Sequence, residues 1–112
     1  MNNASAPETE DDAANRQVEQ VLAQIHALLC GAAIVPNAVQ QQMLASHIRA
    51  MVMRSRTGEP LPEVDRELFD EISPHSMQLA EQVVASFDNL PIEEAYLLSV
   101  HFEVAKENQT TN

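Results

Sequence analysis

The chain of 112 residues carries a formal charge of −11, from 17 acidic and 6 basic side chains, and 45% of its residues are hydrophobic. Such a charge repels a phosphate backbone, so we expect no direct binding of nucleic acid. The single cysteine excludes an intrachain disulfide and a cysteine-based zinc site. Without a signal peptide or an apolar run of about 18 residues, the sequence predicts a cytoplasmic protein with no membrane segment.

The sequence predicts one helical domain between two disordered tails. Residues 1–14 contain no apolar residue larger than alanine after the first methionine, so burial cannot offset the entropic cost of ordering them. We therefore expect a disordered acidic tail over 1–14, a single domain over 15–108 and a short disordered tail over 109–112. Helix-forming residues dominate and only two glycines occur, which favours an all-α domain.

Apolar residues recur at spacings of three and four in the first two predicted helices. The first helix begins near residue 15 and ends at Gly31, which can supply its C-cap. Its predicted apolar face consists of Val18, Val21, Leu22, Ile25, Leu28 and Leu29. Asn37 can cap a second helix that ends in the segment SRTGEPLP, residues 55–62. The predicted buried stripe of this helix consists of Val39, Met43, Leu44, Ile48, Met51 and Val52.

Three further helices follow in the second half of the chain. Residues 63–72 predict a short third helix, and Ser73 with Pro74 at the first helical position predicts the start of a fourth. The inner face of the fourth helix consists of Met77, Ala80, Val83, Val84 and Phe87. Pro91 predicts the start of a fifth helix, which has acidic residues in its first turn and runs to about residue 108. The sequence thus predicts an all-α bundle of five helices in antiparallel pairs, the first with the second and the fourth with the fifth.

Two of the four histidines border the predicted apolar faces. His47 stands one helical turn from apolar residues of the second helix, and His101 stands one turn from leucines of the fifth. Seven residues, about two turns, separate His47 from Arg54 and Glu94 from His101. We interpret the other two histidines, in the first helix and at the start of the fourth, as structural or surface residues.

Two other chemistries are disfavoured by the residues present. A carboxylate metal site in a helical bundle uses a glutamate three residues before a histidine, and positions 23, 44, 72 and 98 hold Ala, Leu, Ile and Leu. Nucleophilic catalysis needs an activated side chain beside a base, and the sequence contains no segment that indicates such a pair. We therefore expect neither an enzyme nor a metal or other cofactor. The alternative that remains is a histidine that accepts phosphate at a packing boundary. About two added negative charges would force a rearrangement there.

The two histidine segments resemble those of the PTS regulation domain, or PRD. The segment SHIRAMVMR, residues 46–54, resembles the first PRD histidine segment, which reads roughly His-Ile/Leu, five residues, then Arg. PIEEAYLLSVHFEVA, residues 91–105, is similar to the second, in which a proline and an acidic residue precede an apolar run ending in histidine. The two histidines lie 54 positions apart (101 − 47), and the likeness covers about residues 18–108.

The resemblance implies a regulatory function. PRDs are five-helix domains, usually in tandem, of transcriptional antiterminators and activators, and the sugar phosphotransferase system phosphorylates their histidines through HPr or sugar-specific EIIB proteins. By motif match, His101 and His47 are the candidate phosphoacceptors, and Glu94 and Arg54 are supporting residues. The match at His47 is weaker, because Ser46 stands where an acidic residue is common. Since PRDs generally pair, a homodimer is expected.

We therefore expect a stand-alone, non-enzymatic PRD-like protein that controls transcription through dimerisation or a protein partner. Neither an RNA-binding domain nor a helix-turn-helix accompanies the helical domain, so antitermination by this chain alone is not expected. The alternative is a degenerate PRD that is no longer phosphorylated and acts as a protein–protein interaction module.

Overall fold

A computed structural model of the chain describes residues 10–61, 63–87 and 89–108. These ranges contain four α-helices and no strand. The helices are α1 (Glu10–Gly31), α2 (Ala38–Thr57), α3 (Pro74–Ala85) and α4 (Glu93–Glu107), and a 3₁₀ turn (Arg66–Phe69) lies between α2 and α3. No helix in the described ranges is long and apolar enough to cross a membrane.

The four helices form a ring in which each helix contacts two others. The hairpin of α1 and α2 packs on the hairpin of α3 and α4, and the α2–α4 and α1–α3 contacts close the ring. These pairings confirm the predicted pairs, the first helix with the second and the last two with each other. The core lies inside the ring, and its largest fully buried apolar side chains are Phe102, Ile25, Leu29, Ile48, Met51 and Leu98.

The predicted five-helix count is wrong for the described residues, because the expected third helix is only a 3₁₀ turn. A segment of this length between two prolines cannot offset the cost of helix nucleation with its own hydrogen bonds. Instead, the Asp65 side chain accepts a hydrogen bond from the Glu67 amide, and Phe69 stacks on Tyr96 of α4 at a centroid distance of 5.7 Å. Leu68, which the prediction places in the helix, is 74% exposed.

The N-terminal boundary also differs from its prediction. Helix α1 begins at Glu10 rather than near residue 15, so residues 10–14 of the predicted tail are helical. Acidic residues are favourable at the positive end of a helix dipole, and Ala14 is buried against the core, which together stabilise the added turn. Residues 1–9 and 109–112, the rest of the two predicted tails, lie outside the described residues.

Three predicted helix starts have different outcomes. Asn37 forms a capping box with Gln40 at the start of α2, and Ser73 caps α3 with Pro74 in its first turn, so both predictions are confirmed. Helix α4 begins at Glu93 rather than at Pro91, because the preceding turn is closed by hydrogen bonds of the 3₁₀ type and Ile92 supplies no side-chain cap.

The predicted buried stripe of α2 is only partly correct. Four of its six residues are buried, while Val39 is 63% and Met43 57% exposed. These two side chains lie on the side of the helix that is turned away from the core, because α2 contacts only α1 and α4 among the described elements. Periodicity alone could not show that a second apolar side of α2 lacks a neighbouring helix.

Left-handed residues end the first two helices. Gly58 has φ 76° and its amide donates to the Arg54 carbonyl, which is a C-cap at no steric cost. At the end of α1 the left-handed residue is Ala33, with φ 60°, and hydrogen bonds from Ala33 to Cys30 and from Ile34 to Leu29 complete a Schellman motif. The predicted capping role of the glycine at position 31 is therefore wrong, since that residue is still helical.

We expect opposite effects from exchanging glycine and alanine at the two left-handed positions. Gly58→Ala should lower the free energy of unfolding by about 1 kcal/mol, and Ala33→Gly should leave it unchanged or raise it by up to about 1 kcal/mol. Gly31→Ala is the control, because a methyl group there meets no atom within 4 Å and the backbone is helical. Urea unfolding of the three variants tests this; a destabilised Ala33→Gly variant would contradict the strain at that residue.

Candidate functional site

Three polar residue pairs lie along the contact between α2 and α4, which run antiparallel. The pairs are Gln40 with Asn108, His47 with His101, and Arg54 with Glu94. Each pair is seven residues from the next on both helices, about two turns or roughly 10.5 Å, so all six side chains face the same contact. We refer to this set as the α2–α4 polar pairs.

Arg54 and Glu94 form a bidentate ion pair at one end of this contact. Arg54 Nε and Nη2 donate to Glu94 Oε2 and Oε1, each at 2.7 Å. The Glu94 side chain is 0% exposed and that of Arg54 is 16% exposed. The hydrogen bond to Glu94 raises the pKa of Arg54, against the opposing effect of burial. The carboxylate therefore depends on this one guanidinium for compensation of its buried charge.

An amide pair occupies the other end of the contact. Asn108 Nδ2 donates to Gln40 Oε1 at 2.7 Å and to the Val35 carbonyl at 3.0 Å. Gln40 Oε1 also accepts a hydrogen bond from the Asn37 amide in the capping box. The C-terminus of α4 is thereby tied to the N-terminus of α2 and to the loop before it.

The two histidines lie between these pairs and contact each other. Their ring centroids are 4.9 Å apart, with an angle of 38° between the planes. The Nε2 atom of His47 is buried and has no hydrogen-bond partner among the described residues. Burial lowers the pKa of His47 to about 4, assisted by the nearby His101 and Arg54, and burial also lowers the pKa of His101. Both imidazoles are therefore neutral at pH 7, and each has one unprotonated ring nitrogen.

The structure brings all four candidate site residues to one contact, but in pairs that the sequence did not indicate. Sequence spacing related His47 to Arg54 and Glu94 to His101 along single helices, whereas the structure pairs the members across two helices. Gln40 and Asn108 were missed, although a second interval of seven residues on each helix was a signal for them. The histidines of α1 and of the first turn of α3 are exposed and lie elsewhere.

An exposed apolar surface, the outer face, borders the histidine pair. It is the side of α2 and α4 turned away from the core, and its members are Val39, Met43, Ser46, Met53, Val100 and Val104. None of these side chains is charged. Met43 lies one turn before His47 and Val104 lies one turn after His101, and residues one turn apart are close on a helix surface.

The contact between α2 and α4 has a cavity at one end, away from the histidines. A cavity of about 520 Å³ lies at the Arg54 end of the contact, and Gly58, Glu59, Pro60 and Leu61 of the following loop line it. Neither histidine is among its lining residues. Within the described ranges, no three His, Cys, Asp or Glu side chains are grouped so that they could hold a metal ion.

A hydrogen-bonded cluster fixes α4 against the start of α3. The amide and hydroxyl of Ser73 and the hydroxyl of Ser76 donate to Glu103 Oε1, and Lys106 Nζ donates to the Ser73 hydroxyl. Burial opposes ionisation of Glu103, but these hydrogen bonds and the charge of Lys106 outweigh it and lower the pKa of Glu103. The face of α4 opposite the histidine pair is thus held firmly.

Comparison with known proteins identifies the fold. No family model and no curated protein matches the sequence. A solved structure that does match is a PRD-containing transcription regulator from Lactobacillus casei ATCC 334, with 35% sequence identity and a TM-score of 0.81. The match covers 89% of this chain and 87% of the other. The chain belongs to the PRD family. The resemblance seen in the two histidine segments is therefore confirmed, as is the all-α class of this PRD.

We expect the Arg54–Glu94 pair to be strongly coupled. Arg54→Met should lower the free energy of unfolding by about 3 kcal/mol or more, because it leaves a buried carboxylate without a partner. The double variant Arg54→Met/Glu94→Leu should recover most of this loss, since no buried charge remains. Urea unfolding of the single and double variants gives the coupling energy. Arg49→Met is the matched control, because Arg49 is exposed and bonds only Asn15 in the described structure. Additive effects of the two substitutions would contradict the coupling.

The His47 environment predicts a loss of stability in mild acid. The pKa of about 4 in the folded state lies below the ordinary value of 6.5, so the unfolded chain binds more protons between these values. The contribution of neutral His47 to the free energy of unfolding is nearly complete above pH 6.5. It falls as the pH drops towards 4, by about 2 kcal/mol between pH 7 and 5. His47→Leu should remove this part of the pH dependence, whereas His26→Leu, at an exposed position, should not. Equal pH profiles for the wild type and His47→Leu would refute the prediction.

Proposed function

We propose that this PRD is a phosphohistidine-responsive regulator of the sugar phosphotransferase system, and that it controls transcription through dimerisation or a protein partner without being an enzyme. The observation that carries the proposal is the neutral histidine pair at the edge of an uncharged, exposed face. A phosphoacceptor histidine needs an unprotonated nitrogen, and both imidazoles have one at neutral pH. The relative from Lactobacillus casei is described as a transcription regulator, which supports the same role here.

The outer face supports a homodimer as the assembly that is regulated. A chain with a charge of −11 repels a second copy over most of its surface, whereas the six outer-face residues are uncharged, although Arg49 and Glu107 lie one turn from Met53 and Val104. Its apolar side chains are 37 to 63% exposed and lie on two helices that pack against each other. Exposed apolar residues gathered on one side of a protein are typical of a protein–protein interface. In a two-fold dimer each copy offers the same face to the other.

Phosphorylation at the histidine pair would act directly on this dimer. A phosphoryl group adds about two negative charges at the edge of a face that two copies would bury together. Arg54 is not free to neutralise them, because both oxygens of the buried Glu94 hold its guanidinium, whereas the exposed Arg49 donates to the uncharged Asn15 side chain. We therefore propose that the phosphorylated form dissociates, with a coupling of about 1 to 3 kcal/mol between phosphorylation and dimerisation. HPr or a sugar-specific EIIB protein is the proposed phosphoryl donor.

A second candidate function is that of an interaction module that has lost phosphorylation. The buried Nε2 atom of His47 and Ser46 at the preceding position favour it. In that case the outer face still binds a partner, but no donor phosphorylates the chain. The two candidates differ in one observable, the transfer of phosphate to a histidine.

Incubation with phosphoenolpyruvate, Enzyme I and HPr, with and without EIIB proteins, should raise the intact mass of the chain by one phosphoryl group under acid-free conditions. His101→Ala and His47→Ala variants identify the acceptor by loss of the gain. His26→Ala and His75→Ala are matched controls at exposed histidines and should behave as the wild type. If no donor produces a mass gain, the phosphorylation hypothesis fails and the interaction module remains.

The same samples test the dimer. Light scattering should show a dimer before phosphorylation and a dimer dissociation constant raised about tenfold or more afterwards. Met43→Glu places one charge on the outer face and should give a monomer, whereas Ala27→Glu, on an exposed position of α1, should not change the assembly. A monomeric wild type would refute the dimer.

A further inference from the structure

We propose that His47 and His101 form a single phosphoacceptor unit that takes only one phosphoryl group, on His101, and that His47 Nε2 donates a hydrogen bond to that group. The inference rests on the proposed function for the physiological phosphoryl donor. What it adds is how the two histidine side chains share the acceptance of the phosphoryl group. His101 is then the acceptor, and His47 is a positioning residue rather than a second acceptor.

The unpartnered nitrogen of His47 is the first observation that supports this division. A buried polar atom without a hydrogen bond is costly, and native structures rarely retain one without a reason. His47 Nε2 is such an atom in the described structure. Because Nε2 is buried, a donor protein in solution cannot reach it. A phosphoryl group on the adjacent ring would supply the missing partner.

The distance between the rings is the second observation. With centroids 4.9 Å apart, the two imidazoles are in contact, so a phosphoryl group on a nitrogen of one ring that faces the other ring would lie beside it. Two phosphoryl groups, each with a charge of about −1.5 to −2, would have to occupy the same partly buried space. Like charges at this separation repel strongly. The second transfer is therefore blocked by the first.

The charges around the pair explain why His47 is suited to the role. The guanidinium of Arg54, two turns away on α2, is bound by both oxygens of Glu94. In the described part of this contact, His47 is the ionisable group whose ring lies against that of His101. Burial keeps it neutral in the unmodified chain, and a neighbouring phosphoryl group would favour its protonated form. The protonated ring donates through both nitrogens, including Nε2.

The transfer balances without any further reactant. The lone pair of the unprotonated nitrogen of His101 attacks phosphorus, a nitrogen–phosphorus bond to His101 forms, and the bond from phosphorus to the donor breaks. The proton on the other nitrogen of His101 is released, His47 takes up one proton, and the departing atom of the donor takes up another from solvent. Nothing is oxidised or reduced. Phosphoramidate, a small donor, follows the same scheme with ammonia as the leaving group.

The experiment uses phosphoramidate and a background in which the two exposed histidines are replaced, His26→Gln/His75→Gln. The full chain is treated with excess reagent, and its intact mass is followed under acid-free conditions. We expect the gain to stop at one phosphoryl group. In the same background His101→Gln should react at least tenfold more slowly. A gain of two groups, no gain at all, or unchanged reaction of His101→Gln would each overturn the proposal.

Two substitutions test the hydrogen bond from His47. His47→Leu should still accept one phosphoryl group, but the phosphohistidine should hydrolyse several times faster than in the background protein, and His47→Gln, which keeps a side-chain N–H donor, should restore part of its lifetime. Nitrogen-15 spectra of labelled histidines should show His47 change from neutral to protonated when His101 is phosphorylated. Equal lifetimes in all three proteins, or a neutral His47 beside phosphorylated His101, would refute its positioning role.

The outcome for this pair is separable from that for the proposed function. One group from phosphoramidate with none from HPr or EIIB would support the single unit and reject regulation by the phosphotransferase system. Two groups transferred by HPr or EIIB would support that regulation and reject the single unit.

Discussion

The buried ion pair between Arg54 and Glu94 sets the position of α2 against α4, and the other features of the site depend on that position. The Glu94 carboxylate has lost its water and is compensated by a bidentate guanidinium, so sliding one helix past the other by even one residue would leave a charge buried alone. With this register fixed, the residues seven and fourteen positions before Arg54 on α2 face the residues seven and fourteen positions after Glu94 along α4. The contact between the two histidines is thus a consequence of the ion pair.

The three polar pairs differ in how well their hydrogen-bonding groups are satisfied. The ion pair and the amide pair at the ends of the contact are bonded at 2.7 Å. In the middle, His47 keeps an unpartnered nitrogen and both imidazoles have lowered pKa values because of burial. A buried polar group without a partner is a place where a modification gains hydrogen bonds as well as adding charge. The weakest of the three pairs is therefore the one best suited to sense phosphate.

Sequence patterns predicted the helices better than they predicted the surfaces between them. Caps at Asn37 and Ser73 and the core residues of α1 and α3 follow from local spacing, because each depends on a few neighbouring residues. The prediction of a short third helix was wrong because the local apolar pattern does not include the cost of helix nucleation. The exposure of Met43 was missed because no local pattern tells which apolar side of a helix has a neighbouring helix. The two histidines were singled out by their place beside the apolar faces, and their proposed role came from the family resemblance, whereas their contact required the pairing of two helices that are distant in sequence.

The position of the histidine pair limits what a phosphoryl group can disturb. On the core side of the contact, Ile48, Leu98 and Phe102 are fully buried, and Glu103 holds α4 to α3 through the serine cluster. On the other side lies the outer face, which no helix of the described chain covers. Charge added between them meets a well-packed core in one direction and an open apolar surface in the other, so the structure yields more readily at the surface. Modification of this pair should thus change what the outer face binds while the bundle remains folded.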